Sequence, residues 1–148
     1  MIHWVYHYFV TMNFWLIKSE PFKYSWQQFQ KDQQTFWDGV RNYQARNNLM
    51  AMELGDLCLF YHSNEGKEVV GVAEVVKTHY PDPTTDETAW VVVDLKPSYQ
   101  LKTPVSLSTM KSDPRLSSIG LIKQPRLSVI ALTKDEFDTV ILLSNEPA

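Results

Sequence analysis

The chain holds a single cysteine, Cys58, so no disulfide can form within it. A reducing compartment is the expectation, with the cytoplasm as its ordinary case. Basic charge is also scarce: 14 Lys and Arg against 17 Asp and Glu leave a net charge of −3. That balance excludes the broad cationic face with which duplex-binding proteins gather phosphates, so any nucleic-acid contact has to be local. Long apolar runs are missing too. VVGVAEVV (69–76) is interrupted by Gly71 and Glu74 and falls short of the ~20 residues that span a bilayer, so no membrane partner is expected. The first eleven residues, MIHWVYHYFVT, lack the basic start and small-residue cleavage site of a secretory signal. They read as an N-terminal extension (1–11), from an upstream start codon or as a short extra strand, ahead of one domain over 12–148. His3 and His7 lie four apart, a spacing that can hold zinc on a helix, but no third ligand accompanies them; neither metal nor cofactor is expected.

What is present is 44% hydrophobic residues distributed in strand and helix patterns. FWLIK (14–18) reads as a strand stopped by Pro21, and Ser25 as the cap of a short helix, SWQQFQKD, with Trp26 and Phe29 on one side. From Asn42, a second cap, Ala45, Leu49 and Met52 recur at helical spacing up to Gly55. DLCLFYH (56–62), KEVVGVAEVVKTH (67–79) and WVVVDLK (90–96) are strands. The first two are joined by the turn SNEGK, and the last two by the long loop YPDPTTDET. SLSTMKSDP after Pro104 reads as a capped helix, RLSVIALT (126–133) as a strand, and Thr133 with Glu136 as the capping box of KDEFDTVILL. This order, without repeats or low-complexity tracts, suggests an α+β domain around a curled sheet or small barrel.

Chemistry concentrates in WDGVRNYQARNNL (37–49), where Trp, Tyr and two Arg alternate with Asn and Gln. Reading one unpaired or flipped base requires a flat aromatic surface and a few fixed groups at the base edge. Trp37 offers the largest π face, Asn42 and Gln44 carry paired donors and acceptors, and Arg41 and Arg46 can hold a phosphate or stack on a ring. Each has a plainer structural role as well: a Trp beside a helix start packs, and Asn42 is a good cap. KSEP ends the first strand, where Ser19 and Glu20 can meet a ligand edge or simply close a turn; Trp26 is either a second aromatic wall or the anchor of its helix. Tyr61, His62 and Ser63 end a strand and can point into a barrel mouth. Mid-strand, Cys58 reads as a small buried hydrophobe, and no familiar nucleophile motif is present.

WLIKSEP (15–21), WDGVRNYQARNNL (37–49), GDLCLFYHSN (55–64), GVAEVVK (71–77), YPDPT (80–84) and RLSV (126–129) together resemble, in order and spacing, the signature segments of the EVE domain. The resemblance covers roughly residues 12 to 143. It implies a PUA-like mixed β-barrel flanked by short helices, related to YTH and ASCH domains, that reads modified bases in DNA or RNA or a nucleoside-like small ligand. The chain departs from the family pattern in KQPRLSV, where Lys123 keeps a charge but lacks the planar fork of an arginine. On residue type and resemblance together, the expectation is a non-catalytic, monomeric binding module. Its pocket would lie between the end of the first strand (Lys18, Ser19, Glu20), the 37–46 motif and the 61–63 segment. Stacking falls to Trp26 and Trp37, edge reading to Ser19, Asn42 and Ser63, phosphate or ring contact to Arg41 and Arg126, with Tyr43, Tyr61 and His62 completing the lining. Two other readings stay open. Glu74, set among Val70, Val72 and Val76, could pair with Lys18 as in small amidohydrolases of the ASCH fold acting on an acylated nucleoside. Alternatively, Arg41, Arg46 and Arg126 could line a pocket for a small organic anion.

Overall fold

The computed structural model describes residues 12–146, so the His3/His7 pair and the N-terminal extension lie outside the described residues. Strand β1 (Phe14–Ser19) is followed by helix α1 (Trp26–Asp32), the short strand β2 (Thr35–Phe36) and helix α2 (Tyr43–Ala51). Strands β3 (Leu57–His62), β4 (Glu68–Pro81) and β5 (Val91–Ser106) come next. Helices α3 (Leu107–Ser112) and α4 (Gly120–Lys123), separated by a 3-10 turn at Pro114–Leu116, lead to β6 (Val129–Leu132) and α5 (Lys134–Asn145). The six strands form one sheet in the order β2-β5-β4-β3-β1-β6. Only the β1–β3 pair is parallel, so β1 lies between two strands distant in sequence. The α+β class holds, and the sheet stays open: its edges, β2 and β6, are not hydrogen-bonded to each other.

The local signals work as their chemistry requires. Ser25, Asn42 and Thr133 each accept the backbone N–H of the third residue of the helix they start, and Glu136 closes the capping box by accepting the N–H of Thr133. Helix α2 buries Ala45 and Leu49, but it stops at Ala51, four residues before Gly55. Gly55, at φ +86°, instead supplies the turn into β3. At that turn the buried Asp56 carboxylate accepts hydrogen bonds from Trp15 Nε1, the N–H of Asn13 and the N–H of Glu53, which ties the start of β1 to β3.

The largest departure is β5, which runs ten residues beyond its expected end at Lys96 (106 − 96). Pro97 and Pro104 look like terminators, yet Pro97 stands opposite Ala73 at a register shift. Pro104 falls in a bulge where Leu101–Pro104 have no partners between the Gly71–Gln100 and Val69–Val105 pairs. Bulges are where a strand tolerates residues that cannot donate, and they bend the sheet around the core. β6, conversely, begins only at Val129, leaving Arg126 to Ser128 in the preceding turn.

The core is dense in aromatic rings. Phe60 on β3 stacks on Phe29 at 5.4 Å and meets Trp26 at 5.2 Å and Trp37 at 5.6 Å edge to face. The indole of Trp26 lies over Gly71 of β4, so closely that a Cβ there would fall 2.4 Å from the ring. Because Trp26 is fully buried it has nowhere to retreat. Gly71→Ala is expected to destabilise the fold by about 1–3 kcal/mol in chemical denaturation, the usual cost of overpacking; a variant as stable as the parent would contradict this packing.

Candidate functional site

Where β1 ends, the chain is pinned from two sides. The carbonyl of Ser19 accepts the N–H of Ser63, and the Ser19 hydroxyl donates to the carbonyl of Tyr24. Residues 20–24 then turn tightly, with the N–H groups of Lys23 and Tyr24 both donating to the carbonyl of Glu20. Opposite this turn runs the segment Thr35–Asp38, fixed to the sheet by the β2–β5 pairing and by the Trp37 N–H donating to the carbonyl of Val93 at 2.8 Å. Between them lies a cleft of about 350 Å³, within the range of small-molecule sites. Tyr24, Phe36 and Trp37 give it aromatic surface, and Lys18, Glu20 and Lys23 give it charge.

Each of these side chains is held. Trp37 is 8% exposed and braced by Tyr24, 6.1 Å away at 73°, and by Phe60. One Glu20 carboxylate oxygen accepts from Asn64 Nδ2 at 2.8 Å and the other is 3.1 Å from Lys23 Nζ. The Tyr24 hydroxyl donates to Asp32, and burial together with that carboxylate pushes its pKa up to about 12, so it stays protonated. Burial lowers the Lys18 ammonium from its usual value, and Lys18 Nζ donates to the carbonyl of Pro125 at 2.7 Å.

That last bond leads to a second depression, a groove of about 400 Å³ that includes Asn42, Gln44, Gln124 and Arg126 in its lining. Gln44 Nε2 donates to Gln124 Oε1 across it. Asn42 Oδ1 is occupied by the Ala45 N–H, which leaves its amide donors for any other partner. Arg126 is exposed on the wall of this groove.

The remaining residues picked from the sequence lie elsewhere. Arg41 is bound to Asp82, Nη1 to Oδ2 at 2.9 Å, and its guanidinium lies 5.7 Å from the Trp90 ring. Burial pushes the Asp82 carboxyl up. The hydroxyl and N–H of Thr84, then Arg41 and the N–H of Gly39, outweigh that and hold it below the usual carboxylate value. Tyr43, 60% exposed, packs on Trp90 at 5.0 Å, and the Arg46 guanidinium lies 5.0 Å from its ring. Arg41 is thus engaged by the YPDPT loop and is not part of the cleft. Trp26 has both neighbours and socket inside the core and cannot stack on a ligand; its Nε1 finds no hydrogen-bond partner among the described residues. Tyr61 and His62 are also interior, and Ser63 serves the seam between β1 and β3 through its backbone.

Both alternatives from the sequence fail on geometry. Lys18 is in register with Tyr61 while Glu74 is in register with Leu57, at the opposite end of β3, and Glu74 lies beside Lys96 instead. No Lys18–Glu74 pair exists. Arg41 and Arg46 belong to the Trp90 cluster and Arg126 to the groove, so the three arginines line no common pocket. Lys23, Tyr24, Phe36 and Asp38 are cleft residues that the sequence reading passed over. The aromatic spacing of PFKYSW was the visible signal for Tyr24, whereas Phe36 depends on a two-residue strand too short to show a period.

A mixed α+β sheet whose first strand ends in an aromatic cleft defines the class, and the comparisons name it. Residues 13–143 match the EVE domain, and the chain belongs to that family. It is 36% identical to thymocyte nuclear protein 1 of Gallus gallus, over 93% of this chain and 71% of the relative. A crystal structure of an Agrobacterium tumefaciens protein superposes with a TM-score of 0.88 at 43% identity, covering 90% of this chain and 93% of that one. The structure of the human THYN1 protein in complex with 5-methylcytosine-containing DNA superposes with a TM-score of 0.85 at 35% identity, covering 92% and 99%.

His62 allows a stability test of the seam behind the cleft. Its Nε2 accepts the N–H of Trp26, and burial lowers its pKa below 6.5, against a smaller opposing pull from Glu68. A lowered folded pKa means that the stabilisation is complete above about 6.5 and drains away as pH falls through the folded value. The melting temperature is expected to fall on acidification from neutrality towards about pH 5, and to fall less in His62→Gln, whose amide oxygen can still accept. Parallel pH profiles for the two proteins would contradict this.

Proposed function

We propose that the protein binds nucleic acid carrying a modified base and takes that base into the cleft between Lys18–Glu20 and Thr35–Asp38. The carrying observation is the cleft itself: three aromatic residues and two acidic ones, Glu20 and Asp38, line a volume of about 350 Å³ on pinned backbone. The human THYN1 complex with 5-methylcytosine-containing DNA supports the ligand class, because that protein shares this fold over 92% of the chain. Trp37, Phe36 and Tyr24 supply the stacking surface and a dry contact for a ring methyl. Glu20, each of whose oxygens keeps a lone pair beyond its bonds to Asn64 and Lys23, accepts from an exocyclic amine such as that of cytosine. Arg126, in the groove joined to the cleft by the Lys18–Pro125 bond, is suited to an adjoining phosphate. A lone buried thiol, Cys58, suits a nucleus as well as a cytosol, and the matched animal relatives are named as nuclear proteins.

In fluorescence anisotropy with matched methylated and unmethylated oligonucleotides, the methylated form is expected to bind more tightly. Phe36→Ala, which removes a half-exposed ring from the cleft, should cost about 1–3 kcal/mol of that binding. Tyr43→Ala, outside the cleft, should cost none. The reverse ranking would move the site to the Trp90 cluster. With Lys18, Lys23 and Arg126 as the only cations on the two depressions the base and phosphates use, log K against log salt should have a slope no steeper than about −3. A slope near −8 would require a phosphate-binding face that this arrangement lacks.

A further inference from the structure

Phe22 lies in the turn of residues 20–24 that forms one wall of the cleft. Its ring is 67% exposed, and single exposed hydrophobics ordinarily need no explanation. Three features set this one apart. Its neighbours Glu20, Lys23 and Tyr24 line the cleft while Phe22, in the same turn and one residue from Lys23, leaves its ring outside the lining and exposed. The turn is rigid, since two N–H groups converge on the carbonyl of Glu20 at 2.9 Å, and Pro21 fixes one of its dihedrals. Lys23 Nζ, finally, lies 5.8 Å from the Phe22 ring and 3.1 Å from Glu20, which places a cation at the foot of an apolar projection.

A base inside a duplex cannot enter a cleft without leaving the stack, and the vacancy it leaves is unfavourable unless something apolar fills it. Proteins that open duplex steps do so with Phe, Leu, Ile, Met or Pro wedges flanked by cations. We propose that Phe22 is such a wedge: it enters a double-stranded substrate at the step from which the base in the cleft has been drawn, with Lys23 beside the adjoining phosphate. The inference rests on the cleft as the nucleobase site and adds that the substrate is duplex, with extrusion assisted by the protein. Phe22 is 67% exposed and belongs neither to the core nor to the cleft lining, so its removal is expected to leave the cleft in place.

The test compares the full-length parent with Phe22→Ala and Phe22→Leu on one methylated sequence, presented single-stranded and double-stranded. A 2-aminopurine is placed next to the methylated cytosine to report unstacking. Phe22→Ala should weaken duplex binding roughly 5- to 100-fold, the scale of one lost aromatic stack, and abolish the fluorescence rise. Single-strand affinity should be unchanged, and Phe22→Leu should retain most of the duplex binding. Equal losses on both forms, or no loss on either, would overturn the wedge while leaving the cleft as the base site. Binding of neither form by the parent protein would overturn both.

Discussion

Phe60 packs against four aromatic rings at once, those of Trp26, Phe29, Trp37 and His62, and the geometry of the cleft depends on it. The ring stacks on Phe29, abuts Trp26 and supports the edge of Trp37, so one β3 side chain sets the positions of α1 and of the segment after β2. Gly71 makes the cluster possible from the far side by leaving room for the indole of Trp26. Trp37 is thereby turned from a mobile surface ring into a fixed wall. A wall that does not reorganise on binding loses little entropy, which is how a small site reaches useful affinity with few contacts.

The cations are sorted by whichever carboxylate reaches them first. Arg41 is taken by Asp82, 41 residues away, in an arrangement that also involves Thr84 and Trp90, and lies outside the cleft lining. Lys18 is spent on a backbone carbonyl, and Lys23 shares Glu20. Arg126 is left exposed on the groove wall. In a chain of net charge −3, the two depressions are lined by three cations, Lys18, Lys23 and Arg126.

Much of the scaffold was legible because it is local. Ser25, Asn42 and Thr133 announce helices by a chemistry that operates within three residues, and the Val-rich runs announce strands by their packing preference. What stayed hidden was non-local. Nothing along the chain says that Gly71 would socket Trp26, which turned an expected ligand wall into core, or that YPDPT would fold back to claim Arg41. The continuation of β5 past Pro97 depends on register slips against β4, and the position of Phe36 depends on two ladder pairs with β5. Lys18, Ser19, Glu20 and Trp37 are expected together from residue type and resemblance, and the structure lines one cleft with them. The groove with Asn42 and Arg126 adjoins them, while Tyr43 and Arg41 belong to a different surface.

The most direct test uses the indole N–H groups as position markers. On titrating a methylated oligonucleotide into nitrogen-15-labelled protein, the account predicts that the Trp37 indole resonance shifts, while those of Trp15 and Trp26, sealed in the core, and of Trp90, beyond the cleft, stay in place. A shift confined to Trp90, with Trp37 unmoved at saturation, would contradict it.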